Sequence, residues 1–205
     1  MNANEPPSHS LIRTLCDLGI SRAGEFQMFH HRTRDRGDIS AWRCHNSGVV
    51  VLSSIDHVNK AHYAEKSEFV FGHCHTRKEA ALYSIEDSLR RAALLRAQVL
   101  NRRWLDVGTG HGGVLDLLGA YCKQVAAVEP QCTARGALSA AGYQVYEDLR
   151  CVPKHAFDVV TLYHVLEHLS SPLDFLKDLG DVLDSGGKVV LEVPHANRSE
   201  ERRVG

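Results

Sequence analysis

The chain of 205 residues lacks long apolar runs, paired cysteines and an excess of charge of either sign. No stretch approaches the roughly twenty apolar residues of a membrane span, and no charged-then-apolar segment resembles a secretion leader. The six cysteines contain no Cys-x-x-Cys pair, so we expect reduced thiols in a cytoplasmic protein. The net charge of −1 argues against nucleic acid, because phosphate-backbone binding is typically accompanied by a basic excess. The sequence therefore predicts neither a membrane nor a nucleic acid partner.

Glycine is concentrated in one short segment that follows an apolar run. Residues 104–107 are apolar except for one aspartate. The glycines that come next are Gly108, Gly110, Gly112 and Gly113. Glycine permits positive φ and lets a ligand lie against bare main chain, and a helix starting here would direct its free N–H groups to the same place. The pattern predicts a strand, a nucleotide-binding loop and a helix.

Two acidic residues lie at the ends of predicted strands. Asp106 comes just before the first glycine, and Glu129 ends a second apolar run, residues 125–128, about twenty residues further on. A carboxylate has two oxygens that match two vicinal ribose hydroxyls, so Glu129 is the predicted ribose-binding residue. We expect Asp106 to hold the loop open for the rest of the ligand. A turn cap at Asp106 and a solvated strand end at Glu129 are the simpler alternatives.

The pattern along the chain changes near residue 76. Before it, residues 48–52 are the one clear strand candidate. After it, the Thr76 to Glu79 segment resembles a capping box and begins one or two amphipathic helices. The apolar residues at helical spacing are Ile85, Leu89, Ala92, Leu95 and Val99. Strands then alternate with helices, as in a doubly wound, mostly parallel α/β sheet, in which ligands collect at the carboxyl ends of the strands. The predicted strands are residues 103–107, 124–129, 144–146, 158–163 and 188–193.

Two later segments specify the kind of protein. Residues 157–168 combine an apolar strand with a His-Val-Leu-Glu-His turn, and residues 183–194 combine a glycine turn with a strand. Together with the glycine loop and Glu129, and in this order, they resemble a class I S-adenosylmethionine (SAM)-dependent methyltransferase of Rossmann-like fold over residues 83–197. The glycine spacing also fits a nicotinamide-dinucleotide oxidoreductase, but that alternative does not explain the two later segments.

The resemblance implies SAM as the cofactor and assigns its contacts to the carboxyl ends of the strands. Near the end of the third strand, Asp148 is the predicted partner of the adenine amino group. The full predicted set of cofactor-binding residues is Asp106, Gly108, Thr109, Gly110, Gly112, Glu129, Pro130, Asp148, Leu149 and Tyr163.

His164 is the predicted catalytic residue, because it follows the fourth strand, where the acceptor lies in this family. Residues 164–168 also match a His-x-x-Glu-His zinc signature, but that site needs a long helix and Pro172 starts a new helix directly afterwards. The segment is similar to ubiquinone-pathway O-methyltransferases, which carry an acid at the position of His164 and are associated with a divalent metal there. A general base, a metal ligand and a packing residue remain alternatives for His164.

The N-terminal segment carries a second resemblance. Residues 42–52 resemble part of the zinc ribbon in some sugar C-methyltransferases, which uses two Cys-x-x-Cys pairs. Here Ser47 stands in place of the second cysteine after Cys44, and Cys16 alone remains of the upstream pair. We therefore predict a degenerate ribbon without metal, which covers the acceptor pocket or contacts a partner chain.

These observations predict SAM-dependent methyl transfer to a small-molecule acceptor, with oxygen preferred over carbon or nitrogen. A non-catalytic SAM-binding or partner-regulating protein is the alternative from another class. The predicted organisation is an appendage at 1–75, a SAM-binding core at 76–197 and a disordered tail at 198–205.

The sheet is expected to lack the last two strands of the family, because the residues after Pro194 are too few for them. The fifth strand would then expose an edge that favours self-association as a homo-oligomer and limits turnover.

Overall fold

The computed structural model describes residues 9–33, 37–54 and 74–194 of the chain. These residues belong to two compact units, one formed by the described residues up to 54 and one by residues 74–194. The domain boundary expected at residue 75 stays a prediction, and the tail expected at 198–205 lies outside the described residues. Within the described residues, no helix combines the length and the apolar character that crossing a membrane requires.

The first unit is a small antiparallel sheet with one helix. Its apolar core consists of Ile12, Phe26, Trp42, Cys44 and Val51. The strand expected at 48–52 is present, whereas the first two strands were missed because neither has a clear alternation of apolar and polar residues. The elements are α1 (Ser10–Asp17), β1 (Phe26–His30), β2 (Ala41–Cys44) and β3 (Val50–Leu52), in the sheet order β1-β2-β3.

Ser47 makes a hydrogen-bonded turn at the place where the ribbon resemblance expects a cysteine. Its hydroxyl lies 2.8 Å from the Ser21 hydroxyl, and its main-chain N–H donates to Cys44 Sγ at 3.5 Å. The Cys44 thiol in turn donates to a carboxylate oxygen of Glu25. Cys16 packs against the apolar core instead. The residues around Cys44 thus close the turn through hydrogen bonds.

The second unit begins with two helices, α2 (Arg77–Tyr83) and α3 (Ile85–Val99). The predicted capping box is confirmed: the Thr76 hydroxyl accepts from the Glu79 N–H, and the Glu79 carboxylate accepts from the Thr76 N–H. These paired bonds satisfy main-chain donors that the first turn of a helix leaves without partners.

The sheet of the second unit has five parallel strands in the order β6-β5-β4-β7-β8. This confirms the predicted doubly wound α/β fold. The strands are β4 (Arg103–Val107), β5 (Gln124–Val128), β6 (Gln144–Tyr146), β7 (Phe157–Tyr163) and β8 (Leu183–Glu192). The helices between them are α4 (Gly113–Leu118), α5 (Cys132–Ala140) and α6 (Pro172–Val182).

The last strand differs from its prediction. It starts at Leu183 and not at Lys188, because Leu183 already pairs with Phe157 before the register shifts and Lys188 pairs with Val159. The turn expected from two adjacent glycines is therefore an irregularity inside β8.

Apolar clusters cover both faces of the sheet. Leu105, Val160 and Leu162 belong to the cluster that includes α6, while Trp104 and Val159 belong to the cluster with α3 and α4. Burial on both faces explains why the central strands read as continuous apolar runs rather than as an alternation. With both faces covered, the carboxyl ends of the strands are the place where polar side chains can gather.

Candidate cofactor and acceptor site

The strand order brings two loops to the point where the sheet reverses its direction. From β4 the chain winds outward through β5 and β6, and then returns to form β7 and β8 on the other side of β4. At this reversal the connections after β4 and β7 leave in opposite directions, which is where open parallel sheets bind ligands. The glycine loop follows β4, and the loop that begins with His164 follows β7.

The glycine loop requires glycine for two physical reasons. Gly108 and Gly112 have φ values of 70° and 77°, a region that side chains disfavour. A Cβ on Gly108 would lie 2.5 Å from Val165 Cγ2, and one on Gly112 would lie 2.5 Å from Leu138 Cδ2. The backbone therefore follows a path that only a residue without a side chain fits.

Glu129 joins the glycine loop to the end of β5. Its carboxylate accepts from the Gly110 N–H at 2.7 Å and from the Gln131 N–H at 2.8 Å, and the residue is only 6% exposed. Burial raises the pKa of Glu129, and the two N–H donors oppose that rise. Each oxygen keeps further acceptor capacity, because a carboxylate has about four lone-pair sites.

Asp106 lies beneath the loop, at the end of a buried hydrogen-bonded chain. Trp104 Nε1 donates to the Thr161 hydroxyl at 2.8 Å, and that hydroxyl donates to the Asp106 carboxylate at 2.5 Å. Asp106 is 3% exposed, and burial raises its pKa to about 6 although the hydrogen bond from Thr161 opposes the rise. Sequence analysis missed Thr161, whose signal was a polar residue in the middle of the apolar part of β7.

The raised pKa of Asp106 predicts that this carboxyl lowers the free energy of unfolding as pH rises. Below about pH 3 the carboxyl is largely protonated in the folded and the unfolded chain, so it contributes almost no difference. As pH rises towards 6, the Asp106 carboxyl ionises first in the unfolded chain, which stabilises the unfolded chain relative to the fold. Asp106→Asn should therefore gain about 3 kcal/mol in relative unfolding free energy between pH 3 and pH 7, measured by urea denaturation at each pH. A constant difference between variant and wild type would contradict this prediction.

The residues proposed to bracket adenine are tied into local structure. Asp148 caps a 3-10 turn, Leu149–Cys151, by accepting from the Arg150 N–H, and its oxygens also receive the Arg150 guanidinium. Leu149 is buried in the apolar core. Pro130 follows Glu129, and its carbonyl accepts from Arg135. The cofactor roles of these residues remain predictions.

His164 has an unusual backbone conformation and two acidic neighbours. Its φ is 56°, and its N–H donates to the Glu192 carbonyl at 2.9 Å. The ring Nδ1 is hydrogen-bonded to Glu167 Oε1 at 3.1 Å, and the ring Nε2 lies 3.2 Å from Glu192 Oε1. Leu166–His168 forms a 3-10 turn, which is not the long helix that the zinc signature needs.

Two arginines of α3 hold Glu192 at the end of β8. Arg90 makes two bonds to its carboxylate at 2.9 and 3.0 Å, and Arg91 makes two at 2.7 and 3.0 Å. The Arg91 guanidinium also lies 4.8 Å from the centre of the Tyr163 ring. Burial raises the pKa of Glu192, but the arginine bonds outweigh it and lower the pKa to about 2. Sequence analysis missed this cluster because Arg91 and Glu192 are about a hundred residues apart.

The comparisons with known proteins identify the family. The family described as Methyltransferase domain matches residues 70–205, more than half of the chain. A solved SAM-dependent methyltransferase, a possible histamine N-methyltransferase from Thermotoga maritima, has the same fold, with a TM-score of 0.52 at 17% identity over 62% of each chain. The chain belongs to the methyltransferase-domain family, which confirms the methyltransferase resemblance of the sequence.

Curated relatives match part of the chain. The tRNA U34 carboxymethyltransferase of Shewanella sp. (strain W3-18-1) is 39% identical over 105 residues, covering 45% of this chain and 31% of the relative. That of Shewanella baltica (strain OS155) is 37% identical with the same coverage. The chain thus spans about a third of the length of these relatives.

These names contradict the predicted partners, a small-molecule acceptor and no nucleic acid, because both relatives are named for a tRNA. The prediction was wrong because a net charge averages over the whole chain. A local group of basic side chains can bind phosphates without a basic excess in the whole chain.

Proposed function

We propose that residues 74–194 bind SAM at the carboxyl edge of the sheet and direct methyl transfer to a tRNA nucleoside. The observation that carries the cofactor part is the buried Glu129 carboxylate, held beside the glycine loop by the Gly110 N–H. The acceptor part rests on the curated relatives named for tRNA U34. Those relatives match 45% of the chain. The tRNA acceptor is therefore tested separately from SAM binding.

The residues present fit SAM. A side chain on Gly108 or Gly112 would collide with Val165 or Leu138, so the main chain of the loop stays bare, and Glu129 offers oxygens to two ribose hydroxyls. We assign the support of the loop to the buried Asp106 beneath it, and a contact with the cofactor to Thr109 within it. Tyr163, at the end of β7, and Asp148 and Leu149, after β6, would border the cofactor on its two sides.

Bound SAM supplies a methyl group on a sulfonium, which is a good leaving group. The chain contributes alignment of the acceptor and exclusion of water, which lower the barrier without covalent chemistry by the protein. His164 lies where the acceptor would enter, and its imidazole can receive the proton that the acceptor loses as the methyl is transferred.

Labelled SAM tests this function. Wild-type protein is incubated with labelled SAM and a tRNA pool, and the tRNA is then digested to nucleosides. Mass spectrometry of these nucleosides distinguishes an added methyl group from an added carboxymethyl group. Label in a uridine of the tRNA supports the proposal. Label that resists ribonuclease, or no label despite measurable SAM binding by calorimetry, overturns the tRNA acceptor and leaves the cofactor site standing.

His164→Ala should lower turnover by about a hundredfold or more, because a positioned general base contributes roughly that factor. SAM affinity should stay within about twofold, since the side chain contacts Glu167 and Glu192 rather than the glycine loop. His155→Ala is the matched control: this histidine also has a positive φ, but it precedes β7, at the amino edge of the sheet. Equal loss of SAM affinity and turnover in His164→Ala would indicate a structural role.

A further inference from the structure

Both ring nitrogens of His164 face carboxylates that come from different parts of the fold. Glu167 lies three residues along the same loop, whereas Glu192 ends the neighbouring strand β8. The side chains of Glu167 and Glu192 are 25% and 26% exposed, so solvent screens these contacts only in part. The ring orientation is therefore set from both sides.

The two contacts differ in kind. Nδ1 makes a hydrogen bond to Glu167, and an ionised carboxylate can only accept, so the proton of that bond is on Nδ1. Nε2 is then the nitrogen whose lone pair is available in the neutral ring. It lies 3.2 Å from Glu192, which its two arginines keep ionised. A proton arriving on Nε2 would meet a fixed negative charge.

We infer that Glu167 and Glu192 are positioning residues that act through His164. Glu167 holds the proton on Nδ1, so that Nε2 accepts the proton of the acceptor. Glu192, fixed by Arg90 and Arg91, stabilises the imidazolium that results. In the balanced step, the acceptor atom bonds to the methyl carbon, the carbon–sulfur bond breaks with its electron pair going to sulfur, and the acceptor proton moves to Nε2. This inference rests on the proposed function, because it assigns His164 a role in transfer.

The backbone supports the same assignment. A histidine at φ 56° is in a region that non-glycine residues seldom adopt, and such strain persists where the surroundings hold it. Here β8 contacts both the main chain and the side chain of His164. The Glu192 carbonyl accepts from the His164 N–H, and the Glu192 carboxylate lies beside the ring. One residue of β8 thus sets the main chain and the side chain of His164 together.

The same strand offers a matched control. At its amino end, Asp184 pairs with Arg103, which also binds Asp158. The chemistry is again an arginine bridging to carboxylates, but this cluster lies at the opposite edge of the sheet from His164. Asp184→Asn therefore reports what loss of an ion pair on β8 does to the fold alone.

The first experiment compares Glu167→Gln and Glu192→Gln with Asp184→Asn, using the labelled-SAM assay and calorimetry. We expect kcat to fall about ten- to hundredfold in both glutamine variants, as for loss of a hydrogen bond to a charged group, with SAM affinity within twofold. Asp184→Asn should keep kcat within twofold. An equal kcat loss in Asp184→Asn, or no loss in the glutamine variants, would overturn the inference.

Non-additivity separates positioning from structural support. Residues that act through one group lose their effect when that group is absent. Adding Glu192→Gln to His164→Ala should therefore leave the residual rate unchanged, within about twofold. A further drop of tenfold would mean that Glu192 acts independently of His164.

A spectroscopic measurement needs no acceptor. Long-range proton–nitrogen spectra of histidine-labelled protein in alkaline buffer show which ring nitrogen carries the proton, and His164→Ala assigns the signal. We expect the Nδ1–H form in the wild type and a shift towards the Nε2–H form in Glu167→Gln. An Nε2–H form in the wild type would overturn the inference. If no tRNA is methylated, the proposed acceptor fails, while these spectra still decide how His164 is held.

Discussion

Replacing Glu129 with alanine should weaken SAM binding about tenfold to a hundredfold or more. The physical reason is the loss of hydrogen bonds from ribose hydroxyls to a charged acceptor, each worth on the order of 1.5–3 kcal/mol. The variant also loses the bonds from Gly110 and Gln131 that hold the loop against the end of β5. Calorimetric titration with SAM and with its demethylated product measures the effect.

Glu147→Ala is the control for this prediction. Glu147 follows the neighbouring strand β6, but its side chain is 72% exposed and makes a single long contact with Arg135. Exposed ion pairs of this kind contribute little to stability, so this variant should bind SAM as the wild type does. Equal SAM affinity of Glu129→Ala and wild type would remove Glu129 from the site.

Gly108→Ala should reduce SAM affinity more than tenfold and lower the free energy of unfolding by about 1–3 kcal/mol. A φ of 70° costs an L-residue about 1–2 kcal/mol, and the new Cβ would lie 2.5 Å from Val165 Cγ2. Relief of that contact would move the loop after β7 away from the glycine loop, where the cofactor is proposed to bind. Thermal unfolding and calorimetry measure the two effects separately.

Gly136→Ala provides the comparison within the same unit. Gly136 lies inside α5, has no positive φ, and a Cβ there meets no atom within 4 Å. Alanine should therefore raise the free energy of unfolding by about 0.4–1 kcal/mol and leave SAM binding unchanged. If both substitutions have the same effect, the backbone path at Gly108 is not a special requirement.

The helix before the glycine loop shows where sequence patterns stop being sufficient. The apolar spacing predicts a buried stripe, and its members from Ala92 onward are buried. Ile85 and Leu89, nearer the start of the helix, are instead 40% and 52% exposed. Ser88 is buried instead, because its small side chain fits against Gly113, whose added Cβ would lie 2.5 Å from the Ser88 hydroxyl oxygen. Periodicity predicted the helix correctly, and close packing against the loop decided its buried face.

The sequence by itself determined the features that depend on neighbouring residues. Local spacing and backbone preference account for the capping box at Thr76 and Glu79, for the alternation of strands and helices, and for the glycines of the glycine loop. Because parallel strands bring their carboxyl ends to one edge, the sequence also predicted that Glu129 and His164 would lie at the same edge of the sheet.

Only the tertiary structure decided how distant side chains meet. The register of β7 against β8 brings Glu192 to His164, and the packing of α3 on the sheet supplies Arg90 and Arg91 to the same carboxylate. Strand order and register arise from burial of apolar surface summed over the whole unit. No short sequence window contains that information, and so the environment of His164 could be read only from the fold.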